Sequence, residues 1–466
     1  MTLRARLTFL GLAAIVPLIA AVVLMKAVNQ PTIAIVLVLA PFGVALARRS
    51  IAYPVALGGV PTLVLALLGR DPFPHGLITA LFFGWTALAI LFALLAGEQR
   101  LPLRLLIAGP IVFSILIAVD LLARLPSSLS PSYGSTKVQL FVLQNVTLLI
   151  AATLIAQRWW HLERLLTVTL LIAGASGLVL AFRLLQGNAQ TVFTNRYSIS
   201  SQENPIQFAR QSADGLLIAV YVTLASTRRW ARIPALLLLP ILAVALLAAG
   251  SRGPVLGGIV GLVTLFAVLA QNRSARRRLL AAAGAGLIAS IAASQLVPGG
   301  SISRSVSFLT GAGSGLSSNG RTHVWAEAWN HFLAHPLFGL GTGSFYAIDG
   351  VEHYPHNLLL EAAVELGLVG VVLVGGFLVA ALVSMVRARA TQGAGDLQVA
   401  VVIALFVSAL VNASFSGDIQ TNSSVWLYAG LGLGLSIRGS FATAADPDPA
   451  LRLDAASGSP PGRQRP

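Results

Sequence analysis

The sequence contains no cysteine, and this absence removes a whole class of chemistry. Without thiols the chain has no disulfides, no thiolate nucleophile and no cysteine-ligated metal site. The composition is compatible with exposure to an oxidising periplasm.

Charged residues are scarce as well. They make up 10% of the 466 residues, while 56% are hydrophobic; ordinary globular domains carry about 25% charged residues. A soluble protein of this length needs many more charges to cover its surface. Runs of roughly 20 apolar residues predict membrane-spanning helices, the form in which lipid-embedded backbone groups are satisfied.

The apolar runs predict an all-α fold, a polytopic transmembrane helical bundle of about 12–14 spans. No small-residue cleavage site follows the first run, so we expect a retained helix rather than a signal peptide. The runs lie near residues 7–25, 31–47, 51–68, 76–96, 101–123, 138–157, 165–185, 207–226, 233–250, 254–271, 279–296, 356–385, 397–413 and 424–437.

Basic residues indicate the orientation. With both termini in the cytoplasm, about two thirds of the 31 Lys and Arg residues fall in inner segments, as the positive-inside rule requires. The formal net charge of +15 is therefore mainly a topology signal. These residues are scattered over short loops without an RNA- or DNA-binding motif, which argues against nucleic acid as a partner. The expected partner of the basic residues is the lipid bilayer.

The domain organisation follows from the same pattern. We expect one transmembrane helical domain over residues 1–438, with N-terminal spans in 1–185 and a motif-bearing part in 186–438. Residues 439–466 are rich in Ala, Asp, Ser, Gly and Pro and predict a disordered cytoplasmic tail. The sequence has no internal repeat of the kind that builds solenoids.

Two predicted outer loops are longer than the others, residues 186–206 and residues 297–355. Loops beyond about 12–15 residues are usually functional or disordered. In the second loop, residues 321–335 predict an amphipathic helix at the outer membrane surface with its tryptophan side in the membrane. Its apolar face consists of Val324, Trp325, Ala328 and Phe332.

Arginine is the basic residue of the outer segments beyond residue 140, and it suits bidentate phosphate contact. Arg252 lies in a Gly-Ser-Arg-Gly-Pro run, and Pro254 fits the first turn of the next helix. The helix start and Arg252 together predict an anion site. Arg210 lies at the outer end of another span, and Arg321 starts the amphipathic helix. The alternative is that these arginines only anchor helix ends at lipid headgroups.

His356 is the strongest candidate for a general base. It lies between Pro355 and Asn357 at a predicted helix N-terminus, where the helix dipole disfavours the imidazolium form. A neutral imidazole can accept a proton; the alternative is that His356 caps the helix. The weaker site candidates are Arg196, Glu203, His323, His353 and Asn357.

The run from Gly320 to Gly370 resembles the signature region of the O-antigen ligase/polymerase family. Two further segments are similar to family motifs, residues 250–254 and residues 203–210. The matching elements of the first run are Gly320, Arg321, Trp325, His335, Pro336, Leu337, Gly339, Leu340, Gly341, Gly343, Phe345, His356, Asn357, Leu360, Glu365 and Gly367.

The resemblance implies a membrane glycosyltransferase that needs neither metal nor cofactor. Such enzymes move a glycan from undecaprenyl diphosphate to an acceptor on the periplasmic face of the bacterial inner membrane. His356 would match the essential histidine, Arg252 and Arg210 the arginines that hold the diphosphate, and Arg321 a donor contact. Arginines can balance the charge that grows on a departing diphosphate.

The sequence does not distinguish between several activities that occur within the family. The acceptor of a ligase is lipid A core, and that of an O-antigen or exopolysaccharide polymerase is a growing glycan, with a chain-length regulator as a candidate partner. The alternative from another class is a membrane transporter or lipid-linked glycan flippase. Transporters place polar residues near the bilayer midplane, whereas the charges here stand at outer ends, Asp214 and Glu365 excepted.

Overall fold

Helices supply nearly all the regular secondary structure of the computed structural model, which confirms the predicted all-α class. The structure describes residues 43–58, 75–95, 107–187, 191–193, 196–199, 204–269, 321–348, 354–393 and 396–438, with residues 105 and 189 and short pieces between 276 and 301. The predicted runs near 7–25, 31–47 and 279–296, the greater part of the run near 51–68, and the predicted tail lie wholly or mostly outside these ranges.

The described helices follow the predicted apolar runs closely, because each run is long enough to form a helix whose sides are covered by lipid or by neighbours. The last two agree within one residue of the predicted bounds. The helices are α1 (Ala52–Leu57), α2 (His75–Leu95), α3 (Gly109–Ala123), α4 (Pro131–Leu140), α5 (Thr147–Ala156), α6 (Trp159–Leu185), α7 (Pro205–Ala225), α8 (Arg229–Ala248), α9 (Arg252–Val268), α10 (Arg321–Ala334), α11 (Phe345–Ile348), α12 (Leu358–Gln392), α13 (Leu397–Ala413) and α14 (Ser423–Ile437).

The helices include membrane-spanning candidates by length and composition. In the described ranges, 5 are long and apolar enough to cross a membrane. Helices α4 and α5 count as one of these, because the π-helix Phe141–Val146 joins them. The five are Gly109–Ser127, Pro131–Ala156, Trp159–Leu185, Arg229–Ala248 and Leu358–Gln392, and shorter apolar helices include Arg252–Val268, Leu397–Ala413 and Ser423–Ile437. The chain is thus a polytopic membrane protein.

Small residues allow helices α9 and α13 to pack closely. A methyl group added at Gly257 would lie 2.9 Å from the carbonyl oxygen of Ser408, and one at Gly261 would lie 3.2 Å from that of Ala404. Glycines four residues apart are a common way for membrane helices to approach each other, since lipid provides little hydrophobic drive for helix association. This contact fixes the N-terminal end of α9 beside the C-terminal end of α13.

Helix α12 is broken at Gly367, where the backbone has φ 71° and ψ −158°. The break removes helical partners from the carbonyl groups before it, and the preceding loop replaces them. The amide of Leu340 donates to the carbonyl of Val364 at 3.0 Å, and the amide of Gly341 donates to that of Glu365 at 2.9 Å. Backbone groups at membrane depth must be satisfied within the protein, and this loop satisfies them.

The same loop also serves the helix segment after the break. The amide of Leu368 donates to the carbonyl of Pro336 at 2.8 Å. A side chain at Gly367 would lie 2.5 Å from the carbonyl carbon of Leu337. The predicted span 356–385 is therefore two helical segments with a loop seated at their junction, and the sequence run alone did not predict this interruption.

Two other segments belong to the predicted outer loops. Strands β1 (Thr191–Phe193) and β2 (Arg196–Tyr197) form a small antiparallel ladder. Helix α10 confirms the predicted amphipathic helix, and its residues Val324 and Ala328 are buried in a cluster with Phe345 of α11. Its apolar side thus rests on the protein, whereas we expected contact with the bilayer.

Candidate functional site

The turn between α13 and α14, residues 414–422, lies next to several predicted site residues. We call it the 414–422 turn. Much of it is buried, including Ser416, Asp418 and Ile419. Connecting segments usually run over the surface, because a buried one must find partners for its polar backbone groups. Here those partners are side chains of the candidate site and of the helices around it.

Three arginines line one pocket with this turn. Arg196, Arg252 and Arg321 lie around it together with Phe415 and Ser416. We call it the arginine pocket; its remaining lining residues are Ile206, Gly250, Ser251, Gly253 and Pro254. Two of the predicted phosphate-binding arginines, Arg252 and Arg321, are thus brought together, and Arg196, a weaker candidate, joins them.

The sequence Gly-Ser-Arg-Gly-Pro explains the position of Arg252. Helix α8 ends at Ala248, and Ser251 precedes α9 with an extended backbone, φ −115° and ψ 111°. Arg252 is the first helical residue, and Pro254 is the third, which agrees with its predicted place in the first turn. The first amides of a helix have no intrahelical acceptor, so the helix start adds positive potential beside the guanidinium group.

Arg210 lies beside the arginine pocket and not in its lining. Helix α7 begins directly after its N-cap residue Asn204, whose side chain accepts a hydrogen bond from the amide of Ile206. Arg210 is one turn further and only 7% exposed. Its Nη2 donates to the carbonyl of Ser416 at 2.8 Å, and Ser416 lines the arginine pocket. Arg210 therefore contacts a residue of the pocket lining without lining the pocket itself.

A second, smaller polar pocket adjoins Arg210. Its lining includes Asp214, Asn412 and Asn422. The hydroxyl of Tyr428 donates to Asp214 at 2.6 Å, so this carboxylate has a defined partner inside the bundle. Asp214 was one of the two exceptional charges in the sequence, and it lines this pocket together with Arg210.

His356 has an unusual backbone conformation. Its φ is 56°, and among the described residues it is the one non-glycine with a positive φ. Such a conformation is uncommon outside glycine and often marks a functional position. The ring of Tyr354 packs edge-on against that of His356, with centroids 4.7 Å apart.

Asn357, and not His356, caps helix α12. Its Oδ1 accepts hydrogen bonds from the amides of Leu359 and Leu360, both at 3.1 Å. Its Nδ2 donates to the carbonyl of Ser414 at 3.2 Å. The alternative role considered for His356, that of a helix cap, is therefore taken by its neighbour, which also ties the start of α12 to the 414–422 turn.

Helix α10 contacts the same region through Trp325. Its Nε1 donates to the carbonyl of Pro355 at 2.8 Å, and its ring centroid lies 6.4 Å from that of Phe415. His323 does not line the arginine pocket; its side chain is 80% exposed, and its Nδ1 lies 3.8 Å from a carboxylate oxygen of Glu327. The remaining candidates, Glu203 and His353, lie outside the described residues.

The sequence reasoning missed a buried charge cluster beside the site. Lys137 lies fully buried in helix α4. Its Nζ donates to Glu361 at 2.7 Å and to Glu365 at 2.8 Å. The available signal was the pair of glutamates four residues apart in an apolar run, because carboxylates inside a membrane protein need a partner.

The described residues contain no group of three His, Asp or Glu side chains that could hold a metal ion. The positive groups that this region offers to an anionic ligand are the guanidinium groups of the arginine pocket and the start of helix α9. Both favour phosphate or diphosphate oxygens over neutral ligands.

Comparison with known proteins gives one family. Residues 235–375 match the family described as O-Antigen ligase. The matched region contains Arg252, Arg321 and His356, and it ends before the 414–422 turn. No curated protein matches the chain.

Proposed function

Because the chain carries a domain of the O-antigen ligase family at residues 235–375, we propose that it transfers a glycan from an undecaprenyl-diphosphate donor to an acceptor at the periplasmic face of the bacterial inner membrane. The observation that carries this proposal is the arginine pocket, in which Arg196, Arg252 and Arg321 lie around one helix start. An enzyme that does not use a metal needs such a set of cations for a diphosphate leaving group.

The proposed donor site is the arginine pocket. A guanidinium group can bind two phosphate oxygens at once through parallel N–H donors. Arg252 adds the amides of a helix N-terminus to its own donors. The pocket holds the diphosphate, while the apolar helix surfaces beside it suit the prenyl chain.

His356 is the proposed general base. In the reaction, an acceptor hydroxyl oxygen attacks the anomeric carbon of the donor sugar, and the bond from that carbon to the diphosphate oxygen breaks. His356 takes the hydroxyl proton, and the lipid diphosphate departs with the bonding electrons to the arginines. Asn357 at the start of α12 and Trp325 at the carbonyl of Pro355 hold the residues on both sides of His356, which limits the positions that its ring can take.

Two acceptors are compatible with this chemistry. Lipid A core as acceptor makes the protein an O-antigen ligase, and a growing glycan makes it a polymerase of O-antigen or exopolysaccharide. Both acceptors present a sugar hydroxyl to the same base, so the described residues do not choose between them.

Surface glycan analysis in a deletion strain tests the proposal and separates the two acceptors. Lipid A core without any O-chain identifies a ligase, and core bearing a single repeat unit identifies a polymerase. Unchanged lipopolysaccharide with exopolysaccharide missing identifies a polymerase of that polymer. The wild-type gene must restore the glycan, and a gene encoding His356→Ala must not; if no surface glycan changes on deletion, the proposal is wrong.

A further inference from the structure

Lys137 lies outside the region that matches the family, and the proposed chemistry does not use the charge cluster that it forms with Glu361 and Glu365. Lys137 is completely buried, and its Nζ donates to three carboxylate oxygens, one of Glu361 and two of Glu365. A buried lysine is costly in the absence of partners. Both partners lie in the first part of the broken helix α12, directly after His356 and Asn357.

The cluster reaches the 414–422 turn through two separate contacts. The second carboxylate oxygen of Glu361 accepts a hydrogen bond from the amide of Ile419 at 2.8 Å. The hydroxyl of Tyr133 donates to Asp418 at 2.9 Å, and the Tyr133 ring lies 5.2 Å from the Nζ of Lys137. Two successive residues of the buried turn, Asp418 and Ile419, are thus bonded to side chains that contact Lys137.

The helix that carries Lys137 makes a third contact with this turn. The π-helix Phe141–Val146 follows Lys137, and its residue Asn145 donates to the carbonyl of Ile419 at 2.7 Å. Both the amide and the carbonyl of Ile419 therefore bond to side chains. A π-helical turn is uncommon and occurs frequently at functional sites.

The opposite end of the turn faces the candidate site. The carbonyl of Ser414 accepts from Asn357, and the carbonyl of Ser416 accepts from Arg210. Phe415 and Ser416 line the arginine pocket. The turn thus has one end bonded to the Lys137 cluster and the other in contact with Arg210, beside the proposed donor site, and with Asn357, which positions the proposed base.

We propose that Lys137 is a positioning residue for the transfer reaction. It acts through Glu361 and the 414–422 turn, whose carbonyl groups orient the Arg210 guanidinium and the Asn357 amide. The role rests on the proposed function and adds to it a residue from helix α4. Removal of the ammonium group leaves two buried carboxylates facing each other without a cation, so Glu361 turns away and releases the amide of Ile419.

Hydrogen exchange of the turn provides a test that does not depend on activity. The full chain in lipid nanodiscs is compared as wild type, Lys137→Met and Tyr133→Phe. Tyr133→Phe removes the hydroxyl that donates to Asp418 and leaves Lys137 with both glutamates, so it still tests how the turn is held if Lys137→Met fails to fold. Glu163→Gln is the matched control, because Glu163 bonds to Tyr221 and Gln398 near the opposite end of α7. We expect amides 415–419 to exchange about tenfold faster in both cluster variants and unchanged in the control.

A double-mutant cycle on kcat/KM for a lipid-diphosphate glycan donor then tests the functional link. Lys137→Met and Arg210→Lys should be coupled, the double variant being at least about threefold more active than the product of the two single losses predicts. The donor KM should rise in Lys137→Met. Glu163→Gln and Arg210→Lys should combine additively, because they share no partner.

The outcomes separate the two proposals. Additive losses for Lys137→Met and Arg210→Lys, or exchange of the turn unchanged in both cluster variants, overturn the positioning role. A wild-type protein without any transfer activity counts against the proposed function, and in that case the exchange of amides 415–419 still decides whether Lys137 holds the turn.

Discussion

The carboxylate of Glu365 accepts a hydrogen bond from the backbone amide of Gly343 at 2.8 Å. This carboxylate also accepts from Lys137, so one side chain joins helix α4, the glycine-rich loop before α11 and the broken helix α12. Gly339 and Gly367 are required by this junction, since a methyl group at Gly339 would lie 2.4 Å from the carbonyl carbon of Glu365 and one at Gly367 would lie 2.5 Å from that of Leu337.

Replacement of Gly367 by alanine should strongly destabilise the protein. An added methyl group would lie 2.5 Å from the carbonyl carbon of Leu337, and φ of 71° disfavours any residue with a side chain. We expect a loss of at least about 2 kcal/mol in the free energy of unfolding. Thermal unfolding in detergent, followed by loss of helical circular dichroism, measures this change.

The matched control is Gly375→Ala in the same helix. A methyl group there meets nothing within 4 Å, and alanine is a better helix former than glycine by about 0.5–1 kcal/mol. The control should keep or raise the unfolding temperature. If both variants behave alike, the break at Gly367 is not needed for the native structure.

Removal of the proposed base should abolish transfer. We expect His356→Ala to lower kcat by roughly 10²–10⁴-fold, the usual contribution of general base catalysis, with the protein still inserted in the membrane. His323→Ala is the control, because this side chain is 80% exposed and does not line the arginine pocket. Transfer assays with purified protein measure both; full activity of His356→Ala would remove the base from the mechanism.

A positive charge alone at position 252 should not be enough for full transfer activity. Lysine retains the positive charge but loses the fork of N–H donors that binds two phosphate oxygens. A charge-assisted hydrogen bond contributes about 1.5–3 kcal/mol, so Arg252→Lys should lower kcat/KM about 10–100-fold. Arg387→Lys, at an exposed position of α12, is the control. Wild-type turnover of Arg252→Lys would indicate simple anchoring at headgroups.

The indole of Trp325 should contribute to the transfer rate through one hydrogen bond, the one to the carbonyl of Pro355. Trp325→Phe keeps an aromatic ring but removes the donor to the carbonyl of Pro355, which precedes His356. Such a bond contributes about 0.5–1.5 kcal/mol, so transfer should fall by roughly 3–10-fold. Trp329→Phe on the same helix, 50% exposed, should leave the rate unchanged. Equal losses in the two variants would contradict a specific role for Trp325.

The helices were predictable because their signal is local. The run 397–413 forms a helix with the predicted bounds. Arg252 and Arg321 are each the first residue of a helix, and both line the arginine pocket. The break at Gly367 was not predictable from the run 356–385. Its apolar pattern continues through the break, and the hydrogen bonds that make the break tolerable come from the loop at residues 336–341.

The role of Lys137 was hidden for a similar reason. Its partner Glu361 lies 224 residues further along the chain, and no local pattern indicates a pairing at that separation. In the sequence, a lysine beside an apolar run is typical of a loop residue at the membrane edge. Tertiary contact with the two glutamates overrides that preference.

The pairing of Lys137 with Glu361 has a consequence for biogenesis. Lys137 is synthesised before Glu361 and Glu365. During synthesis, helix α4 therefore carries an ammonium group whose carboxylate partners have not yet been made. Until they arrive, the lysine has to stay at the aqueous boundary or in the translocation machinery. Assembly of the nascent bundle can therefore finish only after α12 has been inserted, because only then does the ammonium group of Lys137 meet its carboxylate partners.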